Sequence, residues 1–184
     1  LSRDSAARDT RQVAQLQLVF SLYQSGLDLA ALQLFGDGRA DPSTVDPQAR
    51  YLLGSIAEAR NAPPLAVRYW QGLAPPPDVG VEEWQVRLAT MQWRSGAADA
   101  AAGTMRALAQ RAKPLPDPAA SRALGLAREM LGAAKPDLAE EMLAALLPLA
   151  SRSHVREMLY TLGGTAESAA QFARGIKKRS WVVH

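Results

Sequence analysis

Shifted against itself by 35 residues, the chain falls into four aligned columns: Leu18, Leu53 and Leu88; Gly26, Asn61 and Gly96; Ala31, Ala66 and Ala101; Phe35, Trp70 and Met105. A fixed period of this length implies a stack of similar units, each burying its apolar face against the next. Ala and Leu dominate, β-branched residues are sparse and no alternating Val/Ile/Thr run occurs, so the units are helical. Breaks at Gly36-Asp37-Gly38, Asp41-Pro42, Pro75-Pro76-Pro77, Pro114 to Pro118, Pro136-Asp137 and Pro148 leave segments of three or four turns. The fold class is all-α, with two helices per unit, and each column has a role in such a hairpin. The Leu is a buried knob on the first helix. The Gly/Asn column ends that helix, where a left-handed residue is needed. The Ala is small where the second helix crosses the first, and the bulky residue one turn later fills the space beside it.

Beyond residue 110 the period drifts. Leu124-Gly125 matches Leu53-Gly54, and Ala139 with Leu143 repeats the small-then-bulky step after a longer turn containing Lys135-Pro136-Asp137. Tyr160, Leu162, Gly163, Ala166 and Glu167 then match Tyr51, Leu53, Gly54, Ala57 and Glu58 at a constant offset of 109 residues. One domain over 1–184 is expected, with repeats at 12–46, 47–81, 82–117 and 118–152 and an incomplete one at 153–184. Leu53-Gly54 followed by Ala66, Trp70 and Pro75 resembles the tetratricopeptide repeat, and the resemblance extends over about four and a half units. The early Trp of that family is replaced here by Gln15, Arg50, Gln85, Ser121 and Leu159, and the Tyr one turn after Leu-Gly by Ala57 and Arg128. The resemblance implies a right-handed superhelical solenoid of antiparallel helix hairpins.

Side-chain chemistry narrows the function classes. The absence of Cys removes disulfides, thiolate metal sites and a cysteine nucleophile. No apolar run reaches the roughly 18 residues of a membrane span. The only histidines are His154, expected to face solvent near a helix start, and the terminal His184. A Ser-His-Asp arrangement through His154 would lack a nucleophile elbow. The pairs Glu82-Glu83 and Glu140-Glu141 point about 100° apart on a helix and do not converge on one substrate. Gly163-Gly164 lies inside a helical pattern without the Lys-Ser/Thr of a phosphate loop. No catalytic residue, metal or cofactor is expected.

The formal charge of +3 comes from the end of the chain: without Arg174, Lys177, Lys178 and Arg179 the remainder carries −1. That cluster, followed by Trp181-Val182-Val183, reads as a basic anchoring tail or a frayed end, and the incomplete last repeat offers an edge for self-association. Arg outnumbers Lys 17 to 4, which fits a GC-rich bacterial genome, and the missing Met and Cys are compatible with a periplasmic location.

In a solenoid of the resembled kind the first helix of each repeat lines the concave face. Its outward residues are Phe20 and Tyr23; Gln48, Tyr51, Ser55 and Glu58; Glu83, Val86, Thr90, Trp93 and Arg94; Arg122, Leu126 and Glu129; and Glu157, Tyr160 and Glu167. Aromatic and Arg side chains carry much of the energy at protein interfaces. Tyr51, Glu58, Trp93, Arg94, Arg122 and Tyr160 are therefore the expected partner-binding set, whereas Trp70 is expected in the core. The expected function is a non-catalytic scaffold gripping a peptide or partner domain, with bacterial envelope, secretion or exopolysaccharide-export assemblies as the family analogy. Two alternatives are the helical segment of a larger enzyme such as a lytic transglycosylase, and a pentatricopeptide-like RNA binder. No nucleic-acid partner is expected, because Arg94 and Arg122 face Glu58, Glu83, Glu129, Glu157 and Glu167, a balance that repels phosphate.

Overall fold

The computed structural model describes residues 3–36, 41–111 and 113–163. Among these there are nine α-helices and no strand: α1 (Arg3–Gln24), α2 (Asp28–Gly36), α3 (Pro47–Ala59), α4 (Pro63–Trp70), α5 (Val81–Arg94), α6 (Ala98–Gln110), α7 (Asp117–Gly132), α8 (Pro136–Leu146) and α9 (Arg152–Leu162). Short 3-10 turns at Pro42–Thr44 and Leu147–Leu149 precede α3 and α9. Two compact units result. The first takes the residues up to Gly80 together with Met91–Ala98, and the second takes Val81–Thr90 together with the residues from Asp99 on.

The reversals share one hydrogen-bond pattern. At Gly26, Asn61, Gly96 and Ala134 the backbone is left-handed, with φ of 69°, 52°, 86° and 55°. The left-handed residue donates its N–H to the carbonyl three residues back, and the next residue donates to the carbonyl five back. These bonds are Gly26 to Tyr23 and Leu27 to Leu22, Asn61 to Glu58 and Ala62 to Ala57, Gly96 to Trp93 and Ala97 to Gln92, and Ala134 to Leu131 and Lys135 to Met130. The pattern satisfies carbonyls that a helix end would otherwise strand. Three of the four residues are the Gly/Asn column of the sequence. The fourth is an alanine, 38 positions after Gly96, where the period drifts. Proline opens α3, α4 and α8 at a position whose N–H no helix bond requires.

In the first unit α1 packs on α2, α3 on α4, and α3 also on both α1 and α2. In the second unit α7 packs on α8, and α9 on both of them. Contacts within helix pairs and contacts between pairs are thus both present, which is compatible with a helical repeat. Chain reversal in the α3–α4 hairpin is visible in its bonds. Arg50 Nε and Nη2 donate to the carbonyls of Tyr69 and Gln71 at 3.0 and 2.7 Å, so a residue at the start of α3 caps the end of α4.

Ala31, Ala66, Ala101 and Ala139 are buried, as are Phe35, Trp70 and Met105. The tightest contact is between Gly54 and Trp70. A Cβ built on Gly54 would fall 2.1 to 2.7 Å from three indole atoms, so the ring lies directly on the backbone of α3. Its Nε1 donates to the Tyr51 carbonyl at 3.2 Å, satisfying the buried N–H. The Leu column needs correction. Leu53 is fully buried, but Leu88 is only half-buried and Leu18 is 44% exposed. The column marks a register that becomes core only where neighbouring helices cover it, as α1 and α2 do for α3. Gly163 is the C-cap of α9, and Gly164 lies outside the described residues. Two consecutive glycines make helix propagation costly there.

Ala134→Gly should raise stability by about 1 kcal/mol, because glycine adopts the left-handed backbone without the Cβ clash. Gly96→Ala should lower it by a similar amount, both read from urea-unfolding midpoints. Gly54→Ala and Ala66→Leu should each cost about 1–3 kcal/mol by overpacking. Gly54→Ala should in addition change the fluorescence of the displaced Trp70.

Candidate partner-binding surface

In the first unit, Tyr51, Ser55 and Glu58 follow one another at four- and three-residue steps and share one face of α3. All three are half-buried, with Gln48 exposed one turn earlier. The Ser55 hydroxyl donates to the Tyr51 carbonyl at 2.9 Å, the same oxygen that receives the Trp70 indole. The expected surface anchor and the largest core ring therefore meet at one peptide group. Trp93 and Arg94 close α5, the first half-buried and the second exposed. As adjacent helical residues they point about 100° apart.

In the second unit, Arg122 is exposed on α7, with Nη2 4.0 Å from Glu83 Oε1. Both side chains are more than a third accessible, so this is a loose surface pair of small energetic weight. Tyr160, on α9, is 86% exposed. It matches Tyr51 in sequence register, yet Tyr51 is half covered and Tyr160 stands free of the core. Glu157 bonds Arg128 at 2.6 Å, an ion pair from α9 to α7, so its carboxylate is engaged.

Three expected groove residues are corrected. Val86, Thr90 and Leu126 are buried, and the Thr90 hydroxyl donates to the Val86 carbonyl at 2.8 Å. The Leu-column register allots each first helix a single inward stripe. A helix packed by more than one neighbour buries a wider arc, and α7, held by α8 and α9, buries Ala119, Ala120, Ala123, Leu124, Leu126, Ala127 and Met130. Phe20 and Tyr23 are about half exposed. Glu167 and the basic cluster from Arg174 to Arg179, with the residues after it, lie outside the described residues.

His154 is corrected as well. Its side chain is only 12% exposed, and it joins α9 to α7. Nε2 lies 3.0 Å from the Ser121 hydroxyl, while Nδ1 lies 3.2 Å from Asp117 Oδ1 and 3.0 Å from the Ser151 hydroxyl. Ser151 also donates to Asp117 Oδ1 at 3.1 Å. The order Ser, His, Asp is that of an acyl-transfer triad. Acyl transfer also needs backbone donors for the oxyanion, and Ser121 sits one turn inside α7, where N–H groups are committed to carbonyls four residues back. Whatever its chemistry, the arrangement ties the start of α9 to the first two turns of α7. Sequence reasoning raised a Ser-His-Asp arrangement through His154 but did not find its partners, because Ser121 and His154 are 33 residues apart. Among the described residues no group of three or more His, Asp or Glu is placed to hold a metal, and no helix is long and apolar enough to cross a membrane.

His154→Ala should lower unfolding stability by about 1 kcal/mol through loss of these bonds. Hydrogen exchange should show the protection lost in α9 before any loss in the α3–α4 hairpin.

No family model, curated protein or solved structure matches the chain.

Proposed function

We propose that the chain is a non-catalytic binding module built from tetratricopeptide-type repeats in a right-handed solenoid, holding a peptide or a helix of a partner protein against its first helices. The observation that carries the reading is the packing of first helix on first helix, α1 with α3 and α7 with α9. Outward residues of successive repeats then become neighbours in space although they are far apart in sequence. The candidates are Tyr51 and Glu58 on α3 with Trp93 and Arg94 at the end of α5 in the first unit, and Arg122 on α7 with Tyr160 on α9 in the second. Tyr160 has almost no packing role and presents a rigid amphipathic ring to solvent, the kind of group that gains most from a partner. Arg forks beside aromatic rings suit a segment that carries carboxylates, including a chain terminus.

The test is selection of ligands from a displayed peptide library with free C-termini, followed by calorimetry on variants. Tyr160→Ala and Arg122→Ala in the second unit, and Trp93→Ala in the first, should each cost about 2 kcal/mol or more in affinity for peptides that use that unit. The helical circular-dichroism signal should not change. Ligands that bind all three variants as tightly as the parent would move the interaction off the first helices.

A further inference from the structure

Where α9 meets α7, inside the second unit, the polar groups fix each other's protons. As a carboxylate, Asp117 only accepts, and its Oδ1 receives the Ser151 hydroxyl proton at 3.1 Å. His154 Nδ1 lies 3.2 Å from that same Oδ1 and 3.0 Å from Ser151 Oγ, whose proton is already committed. The Ser153 hydroxyl, 3.5 Å from Nδ1, is better placed to donate to Ser151 Oγ at 3.0 Å. Nδ1 therefore faces acceptors and carries the proton of the neutral ring. That leaves Nε2 as the ring's acceptor, 3.0 Å from the Ser121 hydroxyl. Ser121 thus donates toward a base held in the one tautomer that can take its proton.

Access completes the arrangement. Ser121 is exposed while the imidazole beside it is only 12% accessible, so a reagent can reach the oxygen and the base behind it is shielded. A nucleophile within reach of a base that a third group orients is the signature of covalent chemistry. We propose that Ser121 is an acyl-acceptor site, taking one acyl group from an activated carboxylic ester or thioester. Ser121 Oγ attacks the donor's carbonyl carbon, its proton passes to His154 Nε2, and the bond from that carbon to the leaving oxygen or sulfur breaks. The imidazolium, beside the Asp117 carboxylate, returns the proton to the leaving alkoxide or thiolate. The products are an ester on Ser121, a free alcohol or thiol, and the restored imidazole. By helix geometry the Ser121 N–H is committed within α7. The chemistry is therefore restricted to donors with good leaving groups, which lean less on oxyanion stabilisation, and the ester stays in place after one transfer. A single transfer is modification and not turnover, and it does not depend on the partner-binding reading. It also consumes the hydroxyl proton, so Ser121 no longer donates to Nε2 and one bond between α7 and α9 is lost.

Incubating the full chain with p-nitrophenyl acetate and mapping its peptides by mass should place an acetyl group on Ser121 and leave Ser151 and Ser153 unmodified. The chain has no cysteine, so no thiol competes for the reagent. His154→Gln keeps a hydrogen-bonding group beside Ser121 but cannot take its proton, and should slow the acetylation roughly 100-fold with an unchanged helical spectrum. Asp117 is 70% exposed, so Asp117→Asn leaves the core untouched. Its amide can donate to Nδ1 and favour the wrong tautomer, and the variant should also slow acetylation, which keeps the test in place if His154→Gln does not fold. Hydrogen exchange in the acetylated chain should speed up in α9 and stay unchanged in the α3–α4 hairpin. No acetyl group on Ser121 would overturn the proposal, and so would acetylation at the parent rate in a folded His154→Gln or Asp117→Asn. Either result would leave the cluster a purely structural tie.

Discussion

One backbone device governs this structure: a left-handed residue that turns two amide donors back onto the helix that has just ended. It occurs at Gly26, Asn61, Gly96 and Ala134, each time followed at once by the next helix. Its position sets the rotational register of the second helix against the first. Ala66 and Trp70 reach α3 only because Asn61 reverses the chain where it does. A shift of one residue would turn both side chains about 100° away from their partners. The occurrence at an alanine shows that the constraint comes from the hairpin and not from residue preference. Burial in the second unit offsets a conformation that costs L-residues roughly 1–2 kcal/mol.

The legible part of the fold was the part written in columns. Gly/Asn, small Ala and bulky Phe/Trp/Met repeat because each answers a local demand of the hairpin, a reversal, a close crossing and a space to fill. The Leu column was read less well. Burial of Leu18, Leu53 and Leu88 depends on which helices lie beside them, and that is set by neighbouring repeats. Val86, Thr90 and Leu126 were placed outward for the same reason, since a periodicity argument grants each helix one buried stripe. Of the candidate surface, Tyr51, Trp93, Arg94, Arg122 and Tyr160 keep some or all of their accessibility, while nothing in the spacing announced the partners of His154.

The polar links between hairpins share a spacing of their own. Asp28 with Arg60, Ser121 with His154, and Asp117 with Ser151 are 32, 33 and 34 residues apart, nearly one repeat. The two links from α9 to α7 join the starts of both helices, and Asp28 with Arg60 joins the start of α2 to the end of α3. Arg50 and Ser121 likewise contribute directional bonds between helices where an apolar side chain would contribute only packing. These geometries are exacting, and they select one register among those that apolar packing alone would tolerate.

The short reversals also have a kinetic consequence. A turn of three residues brings α3 and α4 together with almost no loop-closure entropy, and most contacts in that hairpin join residues fewer than about twenty positions apart. Chains dominated by such local contacts cross their folding barrier in microseconds to milliseconds. The Trp70 ring can seat on the bare backbone of Gly54 only once that hairpin has closed, so the reversal at Asn61 has to be in place before the ring packs.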